Sequence, residues 1–453
     1  MTSPLWTSDE LRHATGGTLT AELAVTGISI DTRTLQKGDL FIALKGDRSD
    51  GHAHIETALN AGAACVMVHD RMSSTDPRLL VVQDTLDGMV ALGKAARARF
   101  GGKVIAITGS VGKTTTKEML RTALSAIGKT HAAVASFNNH WGVPLTLARL
   151  PRDAAFCISE IGMNHEGEIR PLADQVRPHV AIVTTVGSSH LGNMGSIAAI
   201  AREKASLFSA LLPGGTAIIP DDCPGQNVLR SAVPDSSQLW RSGVSRSADI
   251  KLENLICKAA GSTFLLETPQ AAPLPVQLTA PGRHMARNAA IALGAVTALS
   301  VERTPAAQAL TDFVPGEGRG ARRTILDGVT LLDESYNASS TSMRATLETL
   351  SLLPAKRHVV ALGDILELGI FAEDEHRTLA EAVIAAKAVA FCCGPHMRAL
   401  YDALPPELQG NYAPDSRQLA PLLRAYLKPG DFLLVKGSNG SRMRDLVTFL
   451  DHA

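Results

Sequence analysis

Short apolar runs alternate with stretches carrying an apolar residue every three or four positions, and this alternation dominates the middle of the chain. Residues 104–107, 155–159, 180–186 and 217–219 read as strands with polar or glycine-rich ends, and 285–300 as an Ala-rich helix. Such alternation predicts a mostly parallel sheet with helices on both faces. Residues 250–278 are more polar and β-like, with a turn at Gly261. The first hundred or so residues mix short strands at 27–30, 40–44, 64–68 and 79–82 with helical patterns at 55–61 and 84–100. Gly101-Gly102 breaks the last of these and sets a boundary. A second boundary falls at 312–320, where Pro and Gly cluster, and the pattern then restarts. Runs 324–326 and 329–332 flank Asp327-Gly328, a hairpin signal. Strands at 358–362, 388–392 and 432–435 then alternate with helices at 342–352, 375–386 and 416–427. The expectation is α/β throughout, in three domains: 1–102, 103–313 and 314–453.

The segment Thr108-Gly109-Ser110-Val111-Gly112-Lys113-Thr114-Thr115 follows the apolar run at 104–107 and opens a helix-prone stretch. Strand, glycine loop, then helix is the context of a phosphate cradle. Glycines let backbone N–H groups close around a polyphosphate, and the helix N-terminus adds a favourable dipole. Lys113 supplies a point charge for the outer phosphates, and the Thr114 hydroxyl suits magnesium. Ile107 stands where the longer P-loop pattern has its first glycine. The central domain is therefore expected to be a mostly parallel P-loop ATPase sheet that binds a nucleoside triphosphate.

Charge narrows the partners. Lys and Arg total 44 and so do Asp and Glu, so no broad basic face for nucleic acid is implied. Cys65, Cys157, Cys223, Cys257, Cys392 and Cys393 show no C-x-x-C spacing and read as reduced core cysteines. The N-terminus lacks a basic-then-apolar signal pattern, and no apolar run is long enough to span a bilayer. A cytoplasmic, monomeric protein without membrane or nucleic-acid partners is expected.

In parallel α/β sheets ligands sit beyond the carboxyl ends of the strands. The run at 155–159 ends at Glu160, and that at 180–186 ends near Ser188-Ser189-His190. If these strands neighbour the phosphate loop, Glu160 and His190 approach the phosphates and suit a second divalent ion. Lys204 falls on the same helical stripe as Ile197, Ile200, Leu207, Phe208 and Leu211. It snorkels, is paired or is held neutral, and a neutral amine reacts with carbon dioxide to give a carbamate. Asn138 and Asn139 are turn formers or substrate contacts. Arg319, in a glycine-rich linker, is placed to reach phosphate when two domains close. Asp333-Glu334, Gly363-Asp364 and Lys436-Gly437-Ser438 end three strands of the last domain on one rim.

Together these residues resemble the Mur ligase family of ATP-dependent amide-forming enzymes over essentially the whole chain. The glycine loop is similar to the family's short form. Asp31-Thr32-Arg33, Gly38-Asp39-Leu40-Phe41, Ala43-Leu44-Lys45-Gly46 and Asp50-Gly51-His52 resemble its uridine-nucleotide domain. Phe137-Asn138-Asn139 with Gly142-Val143-Pro144, and Glu160-Ile161-Gly162-Met163-Asn164, resemble middle-domain motifs. Asp333-Glu334-Ser335-Tyr336-Asn337-Ala338, Leu362-Gly363-Asp364 with Glu367-Leu368-Gly369, and Lys436-Gly437-Ser438 resemble the branch that adds D-Ala-D-Ala. The DNPR motif of the diaminopimelate-adding relative and the N-K-x-D motif of GTPases are both missing. Ser136, Glu334, Ala205-Ser206 and Asn439-Gly440 depart from the family pattern.

The resemblance implies a small N-terminal α/β domain for the uridine nucleotide, the ATPase sheet, and a Rossmann-like C-terminal domain for the dipeptide. It implies ATP, two magnesium ions and a carbamylated Lys204 as cofactors. The implied substrates are UDP-N-acetylmuramoyl-tripeptide and D-Ala-D-Ala, joined through an acyl phosphate. Lys113, Glu160, His190, Lys204 and Arg319 would be catalytic, with Thr114, Glu160, His190 and Lys204 around metal. Residues 108–115, Asn288, Arg319 and Asp333 would hold the nucleotide. Ser29, Asp31, Arg33, Lys45, Gly46, Asp50, His52, Asn138, Asn139, Tyr336, Asn337 and Lys436 would bind substrates.

Overall fold

The computed structural model describes residues 4–47, 49–69, 76–134, 136–326 and 328–452. It contains three large sheets. The first is four-stranded and parallel: Gly27–Ser29, Asp39–Ile42, Cys65–Val68 and Leu79–Val81, in that order. A two-stranded antiparallel pair, Trp6–Thr7 with Ala24–Val25, lies beside it in sequence.

The second sheet has nine strands. Lys103–Thr108 lies inside it, flanked on one side by Phe156–Glu160 and on the other by Val180–Val183, all parallel. Val104 to Thr108 are fully buried, as a central parallel strand covered on both faces requires. The sheet continues through Thr216–Pro220 and Gln238–Gly243 and ends in an antiparallel meander, Ile250–Lys258, Gly261–Thr268 and Ala271–Leu278. Along Ile250–Lys258 buried positions give way to alternation with exposed ones, which explains its more polar sequence.

The third sheet has six strands, and all but its edge pair are parallel. That pair, Ala321–Ile325 with Val329–Glu334, is the expected hairpin; Asp327, part of the turn signal, lies outside the described residues. Two expected elements differ. The helix expected over 375–386 is broken into Ala372–Arg377 and Ala380–Ala385. At the break the Thr378 hydroxyl bonds back to the Glu375 carbonyl at 2.9 Å, competing with the backbone ladder. The strand expected to run to residue 186 stops at Val183, where its partner Lys103–Thr108 ends and gives way to the glycine loop, whose Ser110 amide donates to Thr185 O at 2.9 Å.

The first and second sheets are tied by the helix Thr85–Arg99, capped by the Asp84 carboxylate on the amides of Leu86 and Asp87. Arg97 on this helix donates to the carbonyls of Val176 and Arg177 at 2.6 and 2.7 Å. Trp6 Nε1 donates to Ala148 O at 3.0 Å, and Arg99 stacks over the Trp6 ring. Among the described residues no helix is long and apolar enough to cross a membrane.

Candidate active site

The loop between Lys103–Thr108 and the helix Lys113–Ser125 is shaped by two glycines with left-handed backbone, Gly109 (φ +148°) and Gly112 (φ +84°). A Cβ on Gly109 would sit 1.9 Å from Thr184 Oγ1, so the loop closes only around glycine. The helix starts at Lys113 without a side-chain cap, which leaves its first amides free for an anion. Lys113 Nζ curls back to Gly109 O at 2.6 Å. Loss of hydration pushes its ammonium below the usual lysine range; Arg319 adds to this, and the Glu160 carboxylate opposes it.

Because Phe156–Glu160 and Lys103–Thr108 pair in register, Ile107 lies opposite Glu160 and the carboxylate reaches the start of the loop helix. Glu160 is 1 % exposed. It accepts from Thr114 Oγ1 at 3.1 and 2.9 Å and from Asn138 Nδ2 at 2.8 Å. Ser136 Oγ stands 3.3 Å from Thr114 Oγ1 and accepts from Arg319 Nη2 at 2.9 Å. Arg319 stacks on the Tyr336 ring at 4.0 Å. A polar chain thus runs from Glu160 through Thr114 and Ser136 to the linker arginine.

These groups face one cavity of about 840 Å³, walled by the second and third sheets' domains together. Residues 110–115, Asn138, Asn139, Glu160, His190, Asn288, Arg319, Tyr336, Asn337 and Lys436 all border it. Asn288, on the helix Arg283–Ala298, comes close to Gly112: a Cβ there would stand 2.9 Å from Asn288 Oδ1. Lys436 is 2 % exposed and donates to Glu334 at 3.0 Å and to Asn337 O at 3.1 Å. Glu334, longer by one methylene than the family's aspartate, faces the cavity as well.

Other expected residues sit apart. Asp333 does not border the cavity; its carboxylate takes the Ser335 amide and hydroxyl and faces Arg323 at 3.6 Å. Lys204, on Ile197–Ala205, does not border the cavity and is 1 % exposed, so it does not snorkel. Burial, reinforced by Lys113, drives its pKa well below the usual lysine value, and Glu203 opposes this. The N-terminal group forms a second cluster at the carboxyl ends of the first sheet's strands. There Ser29 Oγ donates to Asp31 O at 2.9 Å, and Arg33 forks onto Asp31, holding that carboxyl down to about 2. Lys45 and Asp50 face each other in an isolated antiparallel backbone pairing, Gly46 abuts the Trp141 ring, and His52 contacts Asp50 at 2.7 Å through Nδ1. Asn139 caps the turn into Gly142–Ala148, accepting from the amides of Trp141 and Gly142.

Two contacts went unread in the sequence. Ser136, noticed only as a departure, is the joint between Thr114 and Arg319. His190 Nδ1 lies 2.5 Å from Glu367 of the third domain, without the alignment of a hydrogen bond, and Glu367 is held below the usual carboxylate range by it. The signal for the second was present in Glu367-Leu368-Gly369, but spacing along the chain does not reveal what a loop docks against.

A phosphate loop at the switch between neighbouring parallel strands, facing a third α/β domain across a shared cleft, defines a P-loop nucleotide-using protein. Family models match three segments: "Mur ligase family, catalytic domain" over 24–97, "Mur ligase middle domain" over 107–296, and "Mur ligase, glutamate ligase domain" over 318–439. The chain belongs to the Mur ligase family. It is 34% identical over 442 residues, covering 95% of this chain and 93% of the relative, to the UDP-N-acetylmuramoyl-tripeptide–D-alanyl-D-alanine ligase of Synechocystis. Identity to the Escherichia coli protein of the same name is 33%, with 95% and 94% covered. Among solved structures, a MurF from Acinetobacter baumannii matches with a TM-score of 0.89 at 30% identity, covering 100% of both chains. MurF ligase from Thermotoga maritima in complex with ADP shares the fold, with a TM-score of 0.80 at 24% identity over 94% of this chain and 97% of that one.

Proposed function

We propose that this protein joins D-Ala-D-Ala to a UDP-N-acetylmuramoyl-tripeptide, with ATP converted to ADP and phosphate, as a step of peptidoglycan precursor synthesis. The observation that carries the reading is the shared cavity. The glycine loop, Lys113 and Thr114–Glu160 line one side, and Tyr336, Asn337 and Lys436 of the third domain line the other.

The tripeptide's terminal carboxylate attacks the γ-phosphorus of ATP, ADP leaves, and an acyl phosphate forms. The dipeptide's free amine then attacks the acyl carbon, phosphate leaves with the C–O bond, and the amine gives up a proton. Both reactants of the first step are anions, so charge must be neutralised where they meet. Lys113 and the uncapped helix amides are placed for the phosphates. Arg319 joins them from the linker, held by Ser136 and Tyr336. Acyl phosphates hydrolyse, and a cavity walled by two domains limits water.

The donor set suits magnesium. Thr114 and Glu160 offer hard oxygens, and the buried Glu160 carboxylate takes hydrogen bonds from Thr114 and Asn138. Among the described residues no three His, Cys, Asp or Glu side chains converge, so these side chains would supply only part of any ion's coordination. We assign Thr114 to one ion and Glu160, His190 and a carbamylated Lys204 to a second. When bound, the two ions neutralise phosphate charge. The low basicity of Lys204 supports carbamylation, since its free amine adds to carbon dioxide with loss of one proton.

Asn288 is assigned to the adenine, and the cluster of Ser29, Asp31, Arg33, Lys45, Gly46, Asp50 and His52 to the uridine nucleotide. Asn138, Asn139, Tyr336, Asn337 and Lys436 are assigned to the peptide substrates. Asp333 is assigned an indirect part, fixing the turn that presents Tyr336. Domain limits are placed at 102/103 and 313/314. We also place the protein in the cytoplasm as a monomer; its cysteines, all free, suit a reducing compartment.

The test is ADP release with UDP-muramoyl peptides, with and without D-Ala-D-Ala. Release should require both substrates; turnover with either alone, or with neither, refutes the ligase reading.

A further inference from the structure

The contact between His190 and Glu367 joins two domains at an unusual pair of loops. His190 (φ +65°) and Glu367 (φ +67°) both adopt left-handed backbone, which residues with a Cβ enter only when their surroundings impose it. Across the same seam the Gly192 amide donates to Glu367 O at 2.8 Å. A Cβ on Gly192 would stand 2.7 Å from Gly369 N, so the two loops meet backbone against backbone. Ser188 adds a hydroxyl donor to Glu375 Oε2 at 3.1 Å. His190 borders the cavity that holds Lys113 and Glu160, whereas Glu367 comes from the loop after the strand Arg357–Gly363 of the third domain.

We propose that Glu367 is a positioning residue which, as the third domain docks through Gly192 and Gly369, fixes the ring orientation of His190. A carboxylate 2.5 Å from Nδ1 restrains that edge of the ring, so the Nε2 edge is the one left free to turn elsewhere. The imidazole is therefore set only when the dipeptide-bearing domain is in place, which delays assembly of the phosphate site until the amine has a binding surface. The inference rests on the ligase reading for the part His190 plays, but not for the docking itself.

The experiment uses the full chain and three variants, Glu367→Gln, Glu367→Ala and Gly192→Ala. Hydrogen exchange of the 188–196 segment is followed without ligands, and steady-state ADP formation with both substrates. Gly192→Ala should speed exchange of that segment by about tenfold or more, because the backbone contact cannot form. Glu367→Gln keeps the backbone contact and should leave exchange near wild type. It should still lower kcat about 10- to 100-fold, the usual cost of losing a carboxylate behind a functional histidine, with KM for the UDP substrate unchanged. Wild-type kcat in both Glu367→Gln and Glu367→Ala overturns the positioning role. Wild-type exchange in Gly192→Ala overturns the docking. If the wild-type protein ligates nothing, the ligase reading fails, and the exchange arm still decides the docking.

Discussion

Replacing Lys113 with Ala tests the centre of the site. Its ammonium is held 2.6 Å from Gly109 O, at the turn where a β,γ-phosphate pair would enter. At about 4 Å from a phosphate charge, and at an effective dielectric of about 20, one ammonium contributes roughly 4 kcal/mol. If most of that is felt as charge shifts onto the transferred phosphoryl, turnover falls by about three decades. The same change removes a positive neighbour from Lys204, whose amine should regain basicity and carbamylate less readily. Both effects lower the rate. The assay is coupled ADP release under saturating substrates, with calorimetric titration of the UDP-muramoyl peptide alongside. That peptide should bind Lys113→Ala as it binds wild type, since the cluster around Asp31 and Asp50 lies outside the cavity. A variant with more than a tenth of wild-type kcat/KM would show that Lys113 is not on the phosphates.

Lys204→Ala should be inactive and partly restored by added short carboxylates; undiminished activity of the unsupplemented variant would rule out a role for that buried amine. His179 offers a test of pH dependence. Its Nδ1 accepts the Val104 amide at 3.0 Å, and burial, with Lys103 and Arg97 nearby, lowers its pKa from 6.5 to about 4. The folded state then binds fewer protons than the unfolded state between those values. The resulting stability is present above about 6.5 and is lost as pH falls toward about 4, with a ceiling of about 3 kcal/mol. The drop in melting temperature from pH 7.5 to 5 should shrink by a few degrees in His179→Gln. Equal drops in variant and wild type would discount the histidine.

Much of this architecture was legible because single elements declare themselves locally. The run at 104–107 with its glycine loop, the helix Thr85–Arg99 and the strands of the first sheet need only near neighbours in sequence. Glu160 and His190 were placed by one rule, that chemistry gathers at the carboxyl ends of parallel strands, and the sheet order brings both strands beside the loop. Asp333 follows the rule less directly. It ends a strand on the expected rim, but a serine two residues on satisfies its carboxylate and turns it inward. Ser136 and Glu367 stayed hidden for the opposite reason, since their partners are 183 residues away in one case and in another domain in the other. Burial could be inferred for Lys204 from the helical stripe, but not that it would be complete enough to rule out snorkelling.

The short segment from Asn138 to Trp141 has a mechanical consequence. Asn138 grips the buried glutamate beside the phosphate loop, and Trp141 presses on Gly46 of the first domain. Three residues of chain span at most about 11 Å even when drawn straight. The turn at Asn139, pinned by the amides of Trp141 and Gly142, makes so short a tether stiff. Tilting the first domain tugs on the carboxylate's amide partner, and loading the nucleotide sugar should leave an imprint at the far end before ATP arrives.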